Sequence, residues 1–228
     1  MGSSPQEHVT LLTDYDRETA YSHAYHTLYA NIRFDWNSEQ SKPRTLLFAI
    51  PASYPGQTVV AANVAIAAAQ NGMPTILIDA DLHSSRLQQS LGRDKNSGLS
   101  NLLTGETITP QSVISHLHQT FVPDLSLLGS GTVQVQPHEA SRLISSKLPS
   151  VLTSLYQALE ETASQPGLII FNSPPVLTSI DAAQISTQVE QTFLVIASGR
   201  TTRSQARRAQ EQLQRAHANL TGVVMLDV

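Results

Sequence analysis

The sequence predicts an α/β domain in which a mostly parallel sheet carries helices on both faces. Short, unbroken apolar runs, such as residues 45–50, indicate strands that are buried on both sides, as in a parallel sheet. Segments with helical spacing of apolar residues separate these runs along the chain, and this alternation predicts right-handed crossover connections. At 228 residues the chain is long enough for one such domain with a full core.

Up to residue 91 the chain contains three predicted helices and two predicted strands. The first helix carries tyrosines four residues apart, and the second is rich in alanine and stops at Asn71-Gly72. The second strand closes on the aspartates Asp79 and Asp81. In chain order we predict helix 18–34, a linker over 37–44, strand 45–50, helix 59–70, strand 75–80 and a short helix over 85–91.

The rest of the chain, from residue 98, continues the alternation without a repeat or a low-complexity segment. Its strands are short runs of Leu, Ile, Val and Phe, and its last helix is amphipathic and basic. We predict helices over 98–103, 139–146, 148–163, 181–186 and 202–216, and strands over 125–128, 168–171, 192–197 and 222–225.

Composition limits both the domain count and the class of function. We predict a flexible N-terminal segment over 1–17 and a single domain over 18–228. The net charge of −4 argues against general attraction to nucleic acid. The chain contains no cysteine, so disulfide and thiolate chemistry are excluded, and no apolar stretch reaches the ~18 residues of a membrane span.

Residues 53–61, Ser-Tyr-Pro-Gly-Gln-Thr-Val-Val-Ala, follow the first predicted strand and precede a helix, as a phosphate-binding loop does. Such a loop needs a lysine for the β- and γ-phosphates, followed by a Ser or Thr hydroxyl for Mg²⁺. We place Val59 at the lysine position, Val60 at the hydroxyl position and Thr58 where the preceding glycine belongs. Gly56 keeps its role in the turn, and Gln57 lies between them.

Five ordered blocks of the sequence resemble the bacterial tyrosine kinases (BY-kinases), relatives of the MinD/ParA-type deviant Walker P-loop ATPases. The resemblance extends from about residue 24 to residue 225. The blocks are Ala-Tyr-His-Thr-Leu-Tyr-Ala-Asn-Ile-Arg-Phe at 24–34, Ile-Leu-Ile-Asp-Ala-Asp-Leu at 76–82, Gly-Leu-Ser-Asn-Leu-Leu-Thr-Gly at 98–105, Ile-Ile-Phe-Asn-Ser-Pro-Pro-Val-Leu at 169–177 and Gly-Arg-Thr-Thr-Arg at 199–203.

The resemblance implies a nucleotide pocket of which only a remnant is present. In the family, the first aspartate of the Asp-x-Asp run, matched here by Asp79, acts as base or metal partner; Asp81 is also retained, and a Walker B aspartate falls on Asn172. His83 replaces a usual arginine, and the asparagine that reads the purine falls on Leu226. The remnant pocket consists of Gly56, Gln57, Thr58, Val59, Val60, Asp79, Asp81 and Asn172.

Loss of the lysine, the metal hydroxyl and the carboxylate removes roughly 4–8 kcal/mol of nucleotide affinity, at about 1.5–3 kcal/mol per hydrogen bond to a charged group. We therefore predict weak or absent binding of ATP and Mg²⁺, no resident metal and no catalytic residues. The prediction is a pseudokinase, a non-enzyme that acts as scaffold or regulator in capsule or exopolysaccharide biosynthesis and export.

The first helix differs from the family at the positions through which family members form rings. His23, His26 and Tyr29 replace the Glu-x-x-Arg-x-x-Arg-like run, so we predict that no such ring forms. The resemblance implies a cytoplasmic location at the inner face of the cell membrane. It further implies, as partner, a membrane-embedded chain-length regulator (polysaccharide co-polymerase) or an active BY-kinase, with peripheral membrane association as an open alternative.

Two other functions remain open from the sequence. An enzyme with an unusual P-loop would hold ATP through Asp79, Asp81 and backbone amides, as a tyrosine autokinase or an ATPase. A spatial-organising ATPase of the MinD/ParA kind is disfavoured by the missing lysine and by the 199–203 block.

Three residue sets have a structural and a functional interpretation. The tyrosines of the first helix, Tyr21, Tyr25 and Tyr29, either pack in the core or form a face that binds a partner. His116 and His118 are either solvated side chains or metal ligands. The arginines near the C terminus form a solvated face or a docking surface for an acidic partner or lipid headgroups. They are Arg200, Arg203, Arg207, Arg208 and Arg215.

Overall fold

The computed structural model describes residues 10–34, 36, 42–54, 56–83, 87–88, 91, 96–162 and 166–227. Its centre is a seven-stranded sheet with the strand order β3-β4-β2-β5-β1-β6-β7. Six strands run parallel, and the two-residue edge strand β3 pairs antiparallel with β4. The predicted α/β class with a mostly parallel sheet is confirmed.

The strands and helices alternate as the apolar pattern predicts. The strands are β1 (Arg44–Ala49), β2 (Thr75–Asp79), β3 (His118–Gln119), β4 (Leu125–Leu128), β5 (Leu168–Asn172), β6 (Gln191–Ala197) and β7 (Leu220–Leu226). The α-helices are α1 (Ala20–Phe34), α2 (Val59–Gln70), α3 (Leu99–Thr104), α4 (Pro110–His116), α5 (Pro137–Thr162), α6 (Asp181–Ser186) and α7 (Arg203–Arg215).

The sheet separates two apolar layers because neighbouring residues of a strand point to opposite faces. Leu46 and Phe48 of β1 pack with α1 and α2 on one face, whereas Leu47 and Ala49 pack with α3, α5 and α7 on the other. The central strands β2 and β5 are buried at every residue. This double coverage explains why the middle of each of these two strands consists of Leu, Ile and Phe.

Helix α2 is apolar on all sides and lies between the sheet and α1. All of its residues except Gln70 are buried, and its alanines allow close packing against the strands. Asn63 is its one buried polar residue. The Asn63 side chain accepts a hydrogen bond from the Leu12 N–H at 2.8 Å and donates to the Tyr21 hydroxyl at 2.8 Å.

These contacts make residues 10–14 part of the packed fold, which differs from the predicted flexibility of 1–17. Leu11 and Leu12 are buried in the layer that contains α1 and α2, and Leu12–Asp14 forms a 3₁₀ helix. The sequence prediction followed the polar composition of the segment and did not foresee that Asn63 would bind its backbone.

Other differences concern element boundaries. The predicted helices 139–146 and 148–163 are one continuous helix, α5, with Pro149 inside it. Proline usually breaks a helix, so the pattern indicated two, but burial of Leu148 and Val151 holds the segment together. Helix α4 and strand β3 were not predicted, and the predicted helix 85–91 lies mostly outside the described residues.

We predict that Asn63→Ala lowers the free energy of unfolding by about 2–3 kcal/mol, because the substitution leaves the buried Leu12 N–H without its acceptor. Urea denaturation measures this change. Asn71→Ala, at the exposed end of the same helix, is the control and is expected to cost about 1 kcal/mol or less. Equal losses in the two variants would contradict the prediction.

Candidate functional site

The carboxyl ends of β1, β2 and β5 meet the N terminus of α2 at one edge of the sheet. In parallel α/β sheets ligands bind at this edge. Asp79, the last residue of β2, is paired in register with Asn172, the last residue of β5. The loop from β1 leads through Gly56 to the first residue of α2, Val59.

The loop places its side chains in two different environments. Val59 and Val60 are 8% and 1% exposed and belong to the apolar layer that contains α1 and α2. Gln57 lines a cavity in front of the sheet edge, and its buried Oε1 has no hydrogen-bond partner among the described residues. Gly56 has a φ of 77°, and Thr58 has ordinary helical dihedral angles.

Asp79 and Asn172 form a buried pair of a carboxyl group and an amide. The Asn172 Nδ2 donates to Asp79 Oδ1 at 3.0 Å, and Asp79 is 1% exposed. Burial raises the pKa of Asp79 well above its ordinary value, the hydrogen bond from Asn172 lowers it, and the nearby Asp81 carboxylate raises it further. Asp79 Oδ2 has no hydrogen-bond partner among the described residues, and the hydrogen bonds that stabilise the charged form, from the Asn172 amide and the Asp81 backbone N–H, are both made at Oδ1.

The cavity in front of this pair has a volume of about 480 Å³. Asp81 lies in its wall, and its Oδ1 accepts a hydrogen bond from the His83 backbone at 3.3 Å. The described lining contains neither lysine nor arginine, so no cationic group of fixed charge faces a ligand from these residues. The polar lining residues are Ser53, Gln57, Asp81, His83, His138, Ser141, Thr178 and Ser179.

Part of this wall was missed by sequence reasoning. His138 and Ser141 come from the first turns of α5, and Ser179 comes from the loop before α6. Ser141 donates to the buried Asp181 at 2.5 Å, which ties α5 to α6. No sequence pattern connects segments 40 residues apart, so only the fold brings them to the site.

The predicted ring-forming positions on α1 have different environments. Tyr29 is 2% exposed and packs its ring against Trp36, so it belongs to the core. His23 is exposed, and His26 is half-buried with its Nδ1 3.1 Å from the Asn71 side-chain amide. Burial lowers the pKa of His26, and the neighbouring Arg17 and His23 lower it further.

The remaining singled-out residues also have defined surroundings. His118 Nε2 lies 3.0 Å from the Ser97 carbonyl, and His116 Nδ1 lies 2.6 Å from the Ser112 carbonyl. Across the ranges that the structure describes, no three His, Asp or Glu side chains are grouped around a potential metal position. On α7, Arg207 forms an ion pair with Glu211 at 3.0 Å.

We predict that Asp79→Asn stabilises the fold above neutral pH by about 1 kcal/mol or more, because it removes an unsatisfied buried carboxyl group. The raised pKa of Asp79 means that the folded state retains a proton that the unfolded state releases. The stability from this proton is complete below the unfolded pKa near 4 and is lost as pH rises through the folded pKa.

Thermal unfolding between pH 4 and pH 9 measures this linkage. The unaltered chain is expected to lose stability with rising pH more steeply than Asp79→Asn does. Asn172→Asp is the matched variant with the opposite expected effect. It places two carboxyl groups in contact, so its stability is expected to fall more steeply with rising pH than that of the unaltered chain. Identical pH profiles for the three proteins would show that Asp79 keeps an ordinary pKa.

Comparison with curated proteins shows two similar tyrosine kinases over most of the chain. The chain is 30% identical over 224 residues to the tyrosine-protein kinase YwqD of Bacillus subtilis, covering 98% of this chain and 87% of YwqD. It is 26% identical over 208 residues to the putative tyrosine-protein kinase CapB of Staphylococcus aureus, covering 91% of this chain and 85% of CapB. No protein-family model matches the chain.

Solved structures show the same relationship. The chimerical protein CapA2B2 has a TM-score of 0.75 and 27% identity, covering 94% of this chain and 88% of the chimera. The BceF tyrosine kinase domain has a TM-score of 0.76 and 26% identity, covering 96% of this chain and 82% of that domain. The cell division ATPase MinD of Pyrococcus furiosus, at a TM-score of 0.62 and 22% identity over 80% of this chain and 71% of MinD, shares the fold.

These relatives overturn the prediction of a non-enzyme, which was wrong. The similar proteins are named as tyrosine-protein kinases, and the similar structure of BceF is a kinase domain. The prediction relied on replaced side chains within one pocket, whereas the similarity to these kinases extends over nearly the whole chain.

The identity of the chain follows from the sequence relationship together with the geometry of the sheet edge. Identity of 30% across nearly the whole chain, the parallel sheet and the loop between β1 and α2 agree with one another. The chain belongs to the bacterial tyrosine kinases, whose fold is the MinD-type P-loop fold.

Proposed function

We propose that this chain is a tyrosine-kinase-family module of capsule or exopolysaccharide biosynthesis that binds Mg-ATP weakly at the loop before α2. The absence of lysine and arginine from the described cavity lining carries the proposal, since such a cation normally neutralises the phosphates. Backbone N–H groups at the start of α2 and the Asp81 carboxylate remain to hold the phosphates and a metal ion.

Asp79 is the group of this site that a metal ion affects most. It is buried and its pKa is raised, so the ligand-free protein favours the protonated form of this carboxyl group more than an exposed aspartate does. A divalent cation near the cavity favours the ionised form, because an opposite charge lowers the pKa of a carboxyl group. Asp79 is then available as a metal partner or as the base that accepts a proton from an attacking hydroxyl group.

Calorimetric titration with Mg-ATP tests the binding. We expect saturable binding with a Kd near or above 1 mM, which corresponds to about −4 kcal/mol. A micromolar Kd, or no saturable heat at all, would contradict the proposal. Titration with Mg²⁺ alone is the control for the metal.

Phosphate release from ATP tests the chemistry. We expect slow release above the enzyme-free blank, and loss of that release in Asp79→Asn, because the amide does not accept a proton or carry a charge. The fold of the variant is checked by the thermal unfolding described above. Release that is unchanged in Asp79→Asn would assign the activity to other groups.

The proposed partner is a membrane-embedded chain-length regulator, contacted at the inner face of the membrane. The similarity to the chimera CapA2B2 supports a partner of this type. None of the described helices is both long and apolar enough to cross a bilayer, which is consistent with attachment through another protein. Helix α7 offers a basic surface, because Arg203, Arg207, Arg208 and Arg215 are all exposed.

We predict that the double variant Arg203→Glu, Arg208→Glu weakens binding to such a regulator at least tenfold, because charge reversal turns attraction to an acidic segment into repulsion. Binding of the purified chain to the detergent-solubilised regulator, at low and at high salt, measures the effect. Arg142→Glu, a single charge reversal at an exposed position of α5 and half the charge change of the double variant, is the control, and it is compared with each single variant, Arg203→Glu and Arg208→Glu. Equal weakening by the control would show a general charge effect.

A further inference from the structure

We propose that Gln57 and Thr58, and not Val59 and Val60, occupy the phosphate-facing positions of the loop. The inference rests on the nucleotide binding proposed above and identifies the residues that limit it. It corrects the positions assigned from the sequence, where Thr58 was matched to the glycine that precedes the lysine. The correction follows from where α2 begins and from where each side chain lies.

The first observation is the conformation of Gly56. In a P-loop, a glycine is followed directly by the lysine, then by the hydroxyl residue and the helix. Gly56 has a φ of 77°, and a Cβ added there would meet no atom within 4 Å, so the backbone conformation itself favours glycine. Thr58 has a φ of −84° and a ψ of −9°, which any residue adopts. Gly56 is therefore the glycine before the lysine position.

The second observation is the direction in which the two valines lie. Val59 and Val60 form the first turn of α2 and are buried in the apolar layer on the α1 side of the sheet. A lysine at either position would have to place its ammonium group in that layer, where an unpaired charge is costly. Neither valine is among the residues that line the cavity.

The third observation is the environment of Gln57. This side chain is 6% exposed, lines the cavity with Asp81, and has an Oε1 without a partner in the part of the chain that the structure describes. A buried amide without a partner costs free energy that a ligand would recover. Rotation of the amide by 180° turns its NH₂ group to the same place, so Gln57 can donate to a phosphate oxygen.

The corrected positions change what the site has lost. Thr58 follows Gln57 directly and precedes α2, which is the place of the hydroxyl residue in the motif, and its buried side chain makes no capping hydrogen bond to α2. Within the loop, only the cation is replaced, by a neutral amide whose hydrogen bond is about half as strong as a charge-assisted one. Gln57 is thus the residue that sets the affinity for the polyphosphate.

Substitution of single residues in the loop tests the inference by Mg-ATP calorimetry. Gln57→Lys is expected to lower the Kd about 10- to 100-fold, the range for one hydrogen bond to a charged group. Thr58→Val in the Gln57→Lys background is expected to reverse at least part of this gain, and the loss should disappear when Mg²⁺ is omitted.

Two matched variants use the positions that the sequence alone suggested. Val59→Lys is expected to give no gain in affinity and to lower the melting temperature, because it places an ammonium group in the core. Val60→Thr keeps the shape of the side chain but buries a hydroxyl group, so it is expected to lower the stability by about 1–3 kcal/mol, to fold and to leave the Kd unchanged, which keeps the comparison informative when Val59→Lys does not fold.

The outcomes separate this inference from the proposed function. A lower Kd in Val59→Lys or Val60→Thr overturns the assignment of Gln57 and leaves the proposed function standing. Saturable binding with the same Kd in the unaltered chain and in Gln57→Lys has the same consequence. No saturable binding by the unaltered chain, with binding gained in Gln57→Lys, overturns the proposed weak affinity and supports the assignment. No saturable binding by either protein, both folded, overturns both.

Discussion

Burial of α2 between the sheet and α1 is the constraint on which the site depends. Nearly every residue of this helix is in contact with apolar neighbours, so its rotation about its own axis is fixed. A fixed rotation determines which residues of the preceding loop face the cavity and which face the core. The hydrogen bonds of Asn63 on α2, to Leu12 and Tyr21, add a specific position along the axis.

The sheet edge contributes the second fixed element, a hydrogen-bonded pair of Asp79 and Asn172. In a site with a carboxylate at position 172, two like charges would lie side by side and would need a cation to remain in place. The amide removes that need, because it donates to Asp79 and leaves one carboxyl group that is able to remain neutral. The replacement of the lysine and the replacement of the Walker B carboxylate are therefore electrostatically consistent, since each removes a charge that the other would have balanced.

The fold could be predicted well from the sequence because each buried strand of a parallel sheet appears as a short, continuous apolar run. The buried runs that became β1, β2 and β5, and the alanine-rich α2, were all recognisable. The cavity wall was less accessible, since His138 and Ser141 reach the site through the path of α5. Pro149 misled the prediction because tertiary packing outweighed a local preference.

The loop shows most clearly where a sequence pattern stops being sufficient. The motif is matched to a sequence by counting residues from a glycine. Gly56 can be matched either to the glycine directly before the lysine or to an earlier residue of the turn. The structure instead fixes the count from the helix, because α2 begins at Val59 and leaves two residues between it and Gly56. Two positions are what a cation and a hydroxyl require before the first turn. Burial of the two valines and the position of Gln57 at the cavity agree with that count. The loop and helix of this family's site are therefore retained in a chain whose sequence does not match the motif.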